Sequence, residues 1–438
     1  MSHPERAWLA AIIAAAALLR LWLNDVSSFS PADEAVYVDL SRRLAEGGFF
    51  SGYGPMAREW LRDPSWWVYP NPLRCGHLAL TTIAVRLYGS ADPRALAWLS
   101  TLAGIAVVPV LFAAARRIAG TRTALLAAAF AAVSPLGLAM GRRALQDEVL
   151  CAAVLLAFAA VVAMLDDEKK SVVRMLLAVA ALTFALAVKE TLLLLFPALA
   201  VFVVLYPRPS GITARLVALF VAPPLLWWAV LSALTGDATM LFRTARLVAS
   251  SMAARYVVQY QSGPPHRLLF DFFAVAPFVF VLACAAAVAL MLDRRRERRI
   301  RAVAAFLVLG LAAFSLLSSK NLRFIVMLDP LVRLLAAWVV VRPDLGAEAR
   351  TSTLIAAGAA NAAIELELFR AIFITGGVYD PVTHTLLAAM GAVPHAAASP
   401  PAAMLWPWIC AAIAGALWLA RRPGSASPVA VTGYTAPS

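Results

Sequence analysis

Charge is scarce in this chain: Asp, Glu, Lys and Arg make up 14% of 438 residues, while 62% are hydrophobic. Mean hydropathy is +0.79. Soluble domains carry about a quarter charged residues, so an ordinary soluble globule is excluded. Cysteine is nearly absent. The four present (Cys75, Cys151, Cys284, Cys410) are scattered, three of them inside apolar runs, which excludes a disulfide framework and any zinc-ligand spacing. The five histidines (His3, His77, His266, His384, His395) form no ligand cluster either. Acidic residues number 25 against 38 basic ones, a net charge of +13. In a soluble protein that balance would suggest nucleic acid. Here many arginines sit in short loops between apolar runs, where the positive-inside bias accounts for them, and no nucleic-acid partner is expected.

What the chain does have is apolar runs of about 20 residues, the length a bilayer crossing needs. They recur throughout. The first span is Trp8–Leu23, read as retained because a charged segment and more spans follow without a small-residue cleavage site. Pro72–Tyr88 is apolar but short. Further spans are expected at 95–115, 123–140, 148–165, 172–188, 191–206, 212–234, 272–292, 302–318, 322–341, 352–374 and 402–420. The expected fold is therefore an all-α polytopic membrane protein with about twelve transmembrane helices. One integral membrane domain would cover 1–422, and the Pro-, Ser- and Ala-rich 423–438 would form a disordered cytoplasmic tail.

Basic residues orient the spans. Arg116, Arg117 and Arg122 share one short loop, Lys169, Lys170 and Arg174 another, and Arg208 and Arg215 a third. The run at 293–301, with Arg342, Arg350, Arg421 and Arg422, completes the set. All fall on one side if the spans alternate, and that side is cytoplasmic by the positive-inside rule. The long polar loop 24–75 then faces outward, into the periplasm or exterior.

That loop is the richest polar stretch in the chain. It carries Tyr53, Trp60, Trp66, Trp67 and Tyr69, too many aromatics for a disordered linker. Ser30 reads as an N-cap, Pro31 suits the first helical turn, and Gly47-Gly48 ends the helix. Val36, Leu40 and Leu44 share one face, with Asp33 and Tyr37 a turn apart on another. This is a short amphipathic helix of the kind that lies on a bilayer surface. Asp33 has two readings: a reactive carboxylate, or the acidic end of a Ser30-x-x-Asp33 capping box.

The same outer face receives 142–150, Lys189-Glu190, 235–271, 318–324 and 376–400. Together these bring the carboxylates Asp33, Glu34 and Asp147 and the cations Arg142, Arg143, Lys189, Lys320, Arg323 and Arg74. Binding a phosphate at the membrane surface needs fixed cations. Deprotonating a hydroxyl needs one placed carboxylate. Glycosyl transfer from a lipid-linked phosphosugar needs both, and cations that stabilise the departing phosphate replace a general acid. Glycoside hydrolysis instead needs paired carboxylates in acid and base roles. Each cation alone also has a structural reading: Lys189 could pair only with Glu190, and Arg323 could simply anchor a helix end. Tyr379 and Asp380 could meet a sugar or acceptor, or form an ordinary capping turn.

Four stretches resemble the GT-C class of membrane glycosyltransferases, in the branch holding protein O-mannosyltransferases and the lipid A aminoarabinose transferase. They are Asp33-Glu34-Ala35-x-Tyr37 followed by Leu44-Ala45-x-Gly47-Gly48; Tyr69-Pro70-Asn71-Pro72-Leu73; Gly141-Arg142-Arg143-Ala144-x-x-Asp147; and Lys320-x-x-Arg323-Phe324 with Pro330 beyond. They run in order over about residues 1–340. The resemblance implies that Asp33, with Glu34 beside it, is the catalytic base. It implies that Arg74, Arg142, Lys189, Lys320 and Arg323 surround the donor phosphate, supported by Tyr37, Tyr69 and Asp147. One departure is Pro70-Asn71-Pro72, where the family commonly has adjacent prolines near a basic residue.

The expected activity is therefore inverting transfer of a hexosyl or pentosyl group from a polyprenyl-phosphate donor. The acceptor, a lipid, glycan or protein, would lie on the outer face of a bacterial inner membrane. No nucleotide-binding loop is visible, which agrees with a lipid donor. No cofactor is assigned: Asp33 and Glu34 could hold a divalent metal, but no further ligands declare themselves. The rival readings are a secondary transporter, whose charges would gather near the bilayer midplane, and a polysaccharide ligase or polymerase. The enzyme reading requires Asp33 to lie within about 15 Å of Lys320 or Arg323, the rough reach of screened charges.

Overall fold

The computed structural model describes every residue except 23–32, 170, 208–212, 252–260, 293–296, 342–346, 390–409, 411–412 and 416–438. Its described residues form helices and connecting turns, with no strand among them. The helices are α1 (His3–Trp22), α2 (Asp33–Gly47), α3 (Phe49–Arg62), α4 (Cys75–Tyr88), α5 (Pro93–Ala132) and α6 (Pro135–Met140). Then come α7 (Asp147–Leu165), α8 (Val172–Val188), α9 (Phe196–Leu205), α10 (Thr213–Thr235), α11 (Met240–Ser251) and α12 (Arg267–Val275). The last are α13 (Pro277–Leu292), α14 (Arg298–Ser315), α15 (Asp329–Val340), α16 (Ala347–Phe369) and α17 (Thr383–Ala389). Ser30 and Pro31, the tail 423–438, and most of the expected span 402–420 lie outside the described residues.

Local chemistry sets the boundaries. Pro93 opens α5 after Asp92, whose carboxylate accepts from Arg94 N at 2.8 Å. Ser134 does the same for α6, accepting from Gly137 N at 3.0 Å ahead of Pro135. Within α5 the backbone leaves helical geometry at Gly120 (φ 83°, ψ 171°), a conformation open to glycine. That break falls between the spans expected at 95–115 and 123–140, so the long helix is two.

By length and composition, Pro93–Ala132, Asp147–Leu165 and Ala214–Thr235 can cross a membrane. Val172–Val188, Glu190–Leu205 and Pro277–Met291 are apolar but shorter. Burial separates centre from rim. α7 packs between α5 and α8, and α15 between α5 and α13. In its most apolar stretch α7 is 72% buried, against 22% for α10. The rim helices expose Leu18 and Trp22 on α1, Val173, Leu176 and Leu177 on α8, and Val221 and Leu225 on α10. Apolar exposure on that scale needs a cover, and lipid supplies it.

The described part of the long polar loop is not irregular: α2, α3 and a 3-10 turn at Pro64–Val68 fill most of it. α2 docks on α3 and α4 rather than presenting its apolar face to lipid. Tyr37, Val38, Leu40 and Leu44 are buried there, with Ser41 Oγ 2.7 Å from Thr81 Oγ1. Tyr37 thus lies with the leucines, because the buried stripe is broader than the expected face. Trp60 and Trp67 are tied into the loop by indole bonds to the carbonyls of Tyr69 and Trp60, each at 3.1 Å.

Candidate active site

Four segments distant in sequence meet beside this loop: the start of α2, the turn before α7, the break between α8 and α9, and the 3-10 turn Leu322–Phe324. Each is built to turn a charge inward. Asn321 caps its turn by accepting from Arg323 N at 3.0 Å. Lys189 ends α8 in extended conformation (φ −158°, ψ 124°), which stops the helix and frees its side chain to cross the bundle. Asp147 is the first residue of α7, where the helix dipole favours a carboxylate.

Arg323 is the hub. Its Nε donates to Asp147 Oδ2 at 3.0 Å, and its Nη1 donates to Asp33 Oδ2 at 3.0 Å and Asp380 Oδ1 at 2.9 Å. The other Asp147 oxygen accepts from Lys189 Nζ at 2.9 Å. Asp380 also accepts from Asn321 Nδ2 at 3.2 Å. A continuous chain of alternating charge therefore runs from Asp33 through Arg323 and Asp147 to Lys189. It is sealed at the Asp147 end, which is wholly buried, and open at the Asp33 side chain, which is 52% exposed. The requirement that Asp33 lie near Lys320 or Arg323 is met by direct contact with Arg323.

Aromatic faces line the cations. Arg143 lies 4.3 Å and Arg323 5.8 Å from the Tyr379 ring, and Lys189 Nζ 5.4 Å from Phe324. Arg142 is buried over Phe369 at 5.6 Å, and its Nε and Nη2 find no hydrogen-bond partner among the described residues. A desolvated guanidinium with unmet donors is suited to take an anion.

The remaining expected residues hold other posts. Glu34 is buried and its Oε1 accepts from Ala144 N at 3.1 Å, docking α2 on the turn before α7. Adjacent helical positions diverge, so Asp33 and Glu34 face different partners and do not form a joint metal site. Among the described residues no group of three or more His, Cys, Asp or Glu is arranged to hold a metal ion.

Arg74 is engaged at every nitrogen: Nη1 donates to Tyr37 Oη at 2.7 Å, while Nε and Nη2 reach Glu190 at 3.2 and 3.1 Å. Glu190 also accepts from Asn71 Nδ2 at 3.0 Å, so the residue between the two prolines braces Arg74. Burial pushes the Tyr37 phenol up to about 12, against the opposing pull of Arg74, so it stays a hydrogen-bonding alcohol at neutral pH. Tyr69 belongs to a separate surface group, donating to Asp39 Oδ2 at 2.7 Å. Lys320 donates from Nζ to the carbonyl of Leu317 in its own turn. Among residues expected only weakly or not at all, Asp380 and Tyr379 join the hub, and His77 packs edge-on to Tyr37 with ring centroids 5.2 Å apart. The sequence offered Asp380 only as one of two readings.

A family model described as dolichyl-phosphate-mannose-protein mannosyltransferase matches residues 76–232. ArnT from Cupriavidus metallidurans, solved with undecaprenyl phosphate bound, is similar at 17% identity and TM-score 0.56, over 94% of this chain and 76% of that one. The oligosaccharyltransferase of Archaeoglobus fulgidus, solved with a tethered acceptor peptide, is similar at 13% identity and TM-score 0.58. That match covers 84% of this chain and 55% of the archaeal one. No curated protein matches the sequence. At such identities the structural likeness is one of fold.

Proposed function

We propose that this chain is a GT-C-class membrane glycosyltransferase, a reading supported by its family match over 76–232 and its fold, and that it moves a sugar from a polyprenyl-phosphate donor to an acceptor hydroxyl at the outer face of a bacterial inner membrane. One observation carries the reading: a half-open carboxylate, Asp33, is held by the same guanidinium that leads into a buried chain of alternating charge. In the step itself, the acceptor attacks the anomeric carbon and gives its proton to Asp33. The bond from that carbon to the phosphate oxygen breaks, and its electrons leave with the polyprenyl phosphate. Arg323, Lys189 and Arg142 would stabilise the departing charge. A single displacement inverts the anomeric centre.

Two features support a lipid donor. The unmet Arg142 nitrogens suit a phosphate. An apolar groove lined by Leu269, Phe272, Phe280, Leu311, Ile325 and Leu328, with Ile325 two positions along the chain from Arg323, would suit a prenyl tail. Arg74, tied to Glu190, holds Tyr37 on α2 four residues from Asp33 and would form part of the wall of the donor site. A transporter reading keeps one observation in its favour, a set of charges deep in the bundle around Arg333.

The test uses purified protein in detergent with a panel of radiolabelled polyprenyl-phosphate sugars and membrane extract. Label should pass to an acceptor, and Asp33→Asn should lower turnover by about 10²–10⁴-fold. Full transfer by Asp33→Asn would remove the base, and no transfer from any donor would remove the reading.

A further inference from the structure

Below the Arg323 hub lies a second layer of buried charge that the transfer step does not use. Arg333, on α15, donates from Nε to Asp329 Oδ2 at 2.8 Å and from Nη1 to Glu365 Oε2 at 2.6 Å. The same Nη1 donates to the Phe130 carbonyl at 2.8 Å, near the end of α5. Asp329 Oδ2 also accepts from Ser134 Oγ at 2.8 Å, the hydroxyl that caps α6. On α1, Arg20 donates to the Ala131 and Ala132 carbonyls at 3.4 and 3.0 Å. Arg20 and Glu148 close over Gly104 from two sides: a Cβ there would sit 2.7 Å from Arg20 Nε and 2.9 Å from Glu148 Oε1. All five charged side chains are at most 4% exposed.

Buried ion pairs are poor stabilisers compared with packed hydrocarbon, and their best-attested use is to fix register. Connectivity shows what this layer registers. Glu148 adjoins Asp147 at the start of α7, so one residue serves each layer. Two 3-10 turns, Leu322–Phe324 and Val326–Leu328, join Arg323 to Asp329. Ser134 starts the short α6 that leads into Arg142 and Arg143. Every segment that carries a cation or carboxylate into the hub from α6, α7 and α15 is thus rooted in the deeper layer.

We propose that the buried layer Arg20–Glu148–Asp329–Arg333–Glu365 is a positioning device that holds the 141–147 and 321–328 turns in register, with Arg333 as the positioning residue for Arg323. Its activity arm rests on the glycosyl-transfer reading; its structural arm does not.

The experiment compares the full-length wild type with Arg333→Lys, which keeps the charge but loses the fork, and with Gly104→Ala, which drives a methyl between Arg20 and Glu148. Amide exchange by mass spectrometry should rise about tenfold in 141–147 and 321–328 while unfolding stays cooperative. With a competent donor, kcat should fall by about 10²-fold with KM changed less than about threefold, because a displaced Arg323 misplaces the transition state. In an Arg323→Lys background the Arg333→Lys effect should largely vanish. A merely structural layer gives different results: faster exchange confined to 329–340 and 361–365, unchanged kcat in the folded fraction, and full additivity with Arg323→Lys. Any of these overturns the proposal. Should Arg333→Lys not fold, Gly104→Ala decides it: folded, with both turns and kcat unchanged, it refutes the device. A wild type that transfers no sugar fails the functional reading alone, and the exchange result still decides this one.

Discussion

Two groups of buried charge meet at the start of α7, where Asp147 serves one and Glu148 the other, and they differ in exposure: the upper is open at one end and the lower is closed. In the upper layer the Asp33 side chain is 52% exposed and Asp380 15% exposed, while Asp147 is sealed. In the lower layer Arg333 and Glu365 have no exposure at all. An open carboxylate can exchange its partner for a substrate; a closed one can only hold its neighbours. On the proposed reading the upper layer acts and the lower holds.

The largest expected effect separates these roles by rate. Arg323→Met should lower transfer by about 10³-fold or more, through loss of phosphate stabilisation and of the brace on Asp33. Asp33→Asn should cost comparable turnover yet almost no stability, since a half-exposed ion pair contributes less than about 1 kcal/mol. Steady-state transfer assays paired with thermal unfolding in detergent read both. A large stability loss in Asp33→Asn would erase the distinction between the layers.

Next in size is stability. Arg333→Met leaves Asp329 and Glu365 buried without their shared cation, and should cost about 3–5 kcal/mol. Asp147→Asn tests the point where the comparison is sharpest, because Asp147 sits in the open layer but is itself sealed. It should lose both turnover and about 3 kcal/mol of stability, with Lys189 and Arg323 left facing each other. Chemical denaturation followed by tryptophan fluorescence measures the stability part.

A smaller change should come from Tyr37→Phe. It removes the 2.7 Å bond to Arg74 Nη1 and leaves the Glu190 contacts in place. About 1 kcal/mol of stability should go, with KM for the donor changed more than kcat if Arg74 shapes the donor wall.

The upper layer was partly legible in the sequence and the lower was not. Asp147, Lys189 and Arg323 stood at expected span ends and Asp33 in the long polar loop, where a charge is conspicuous, and ordered motifs grouped them. Adjacency misled at Lys189: Glu190 is its neighbour in sequence, but the chain turns at Lys189 and sends the two side chains to Asp147 and Arg74. Lys320 shares a motif with Arg323 yet bonds back to Leu317, because it lies before the 3-10 turn Leu322–Phe324 that aims Arg323. Arg20, Arg333 and Glu365 were invisible for a different reason. A lone charge in an apolar run reads as a helix end that snorkels, and the partners that make it a layer lie on other helices. The helical class and membrane setting followed from composition; the pairing of helices, and so the second layer, required coordinates.

The smallest effect concerns a third group of charges that belongs to neither layer. Asp39 on α2 accepts from Tyr69 Oη at 2.7 Å, Arg42 Nη2 at 2.8 Å and Arg43 Nε at 2.9 Å. Partial burial would raise its carboxyl, but these bonds win and hold it at about 2, below the ordinary aspartate value of 3.8. A depressed folded value means the stabilisation is complete above the unfolded value and drains away as pH falls through the folded one. The window is therefore roughly pH 4 down to 2, set by the shift at Asp39. Trp66 reports it, with its ring 5.3 Å from Tyr69 and 5.7 Å from the Arg43 guanidinium. Acid titration of tryptophan emission should show a small step in this window that Asp39→Asn abolishes, with transfer at neutral pH near the wild-type rate. If Asp39→Asn instead cut turnover as deeply as Asp33→Asn, the outer surface of α2 would belong to the open layer, and the boundary drawn at Asp33 would have to move.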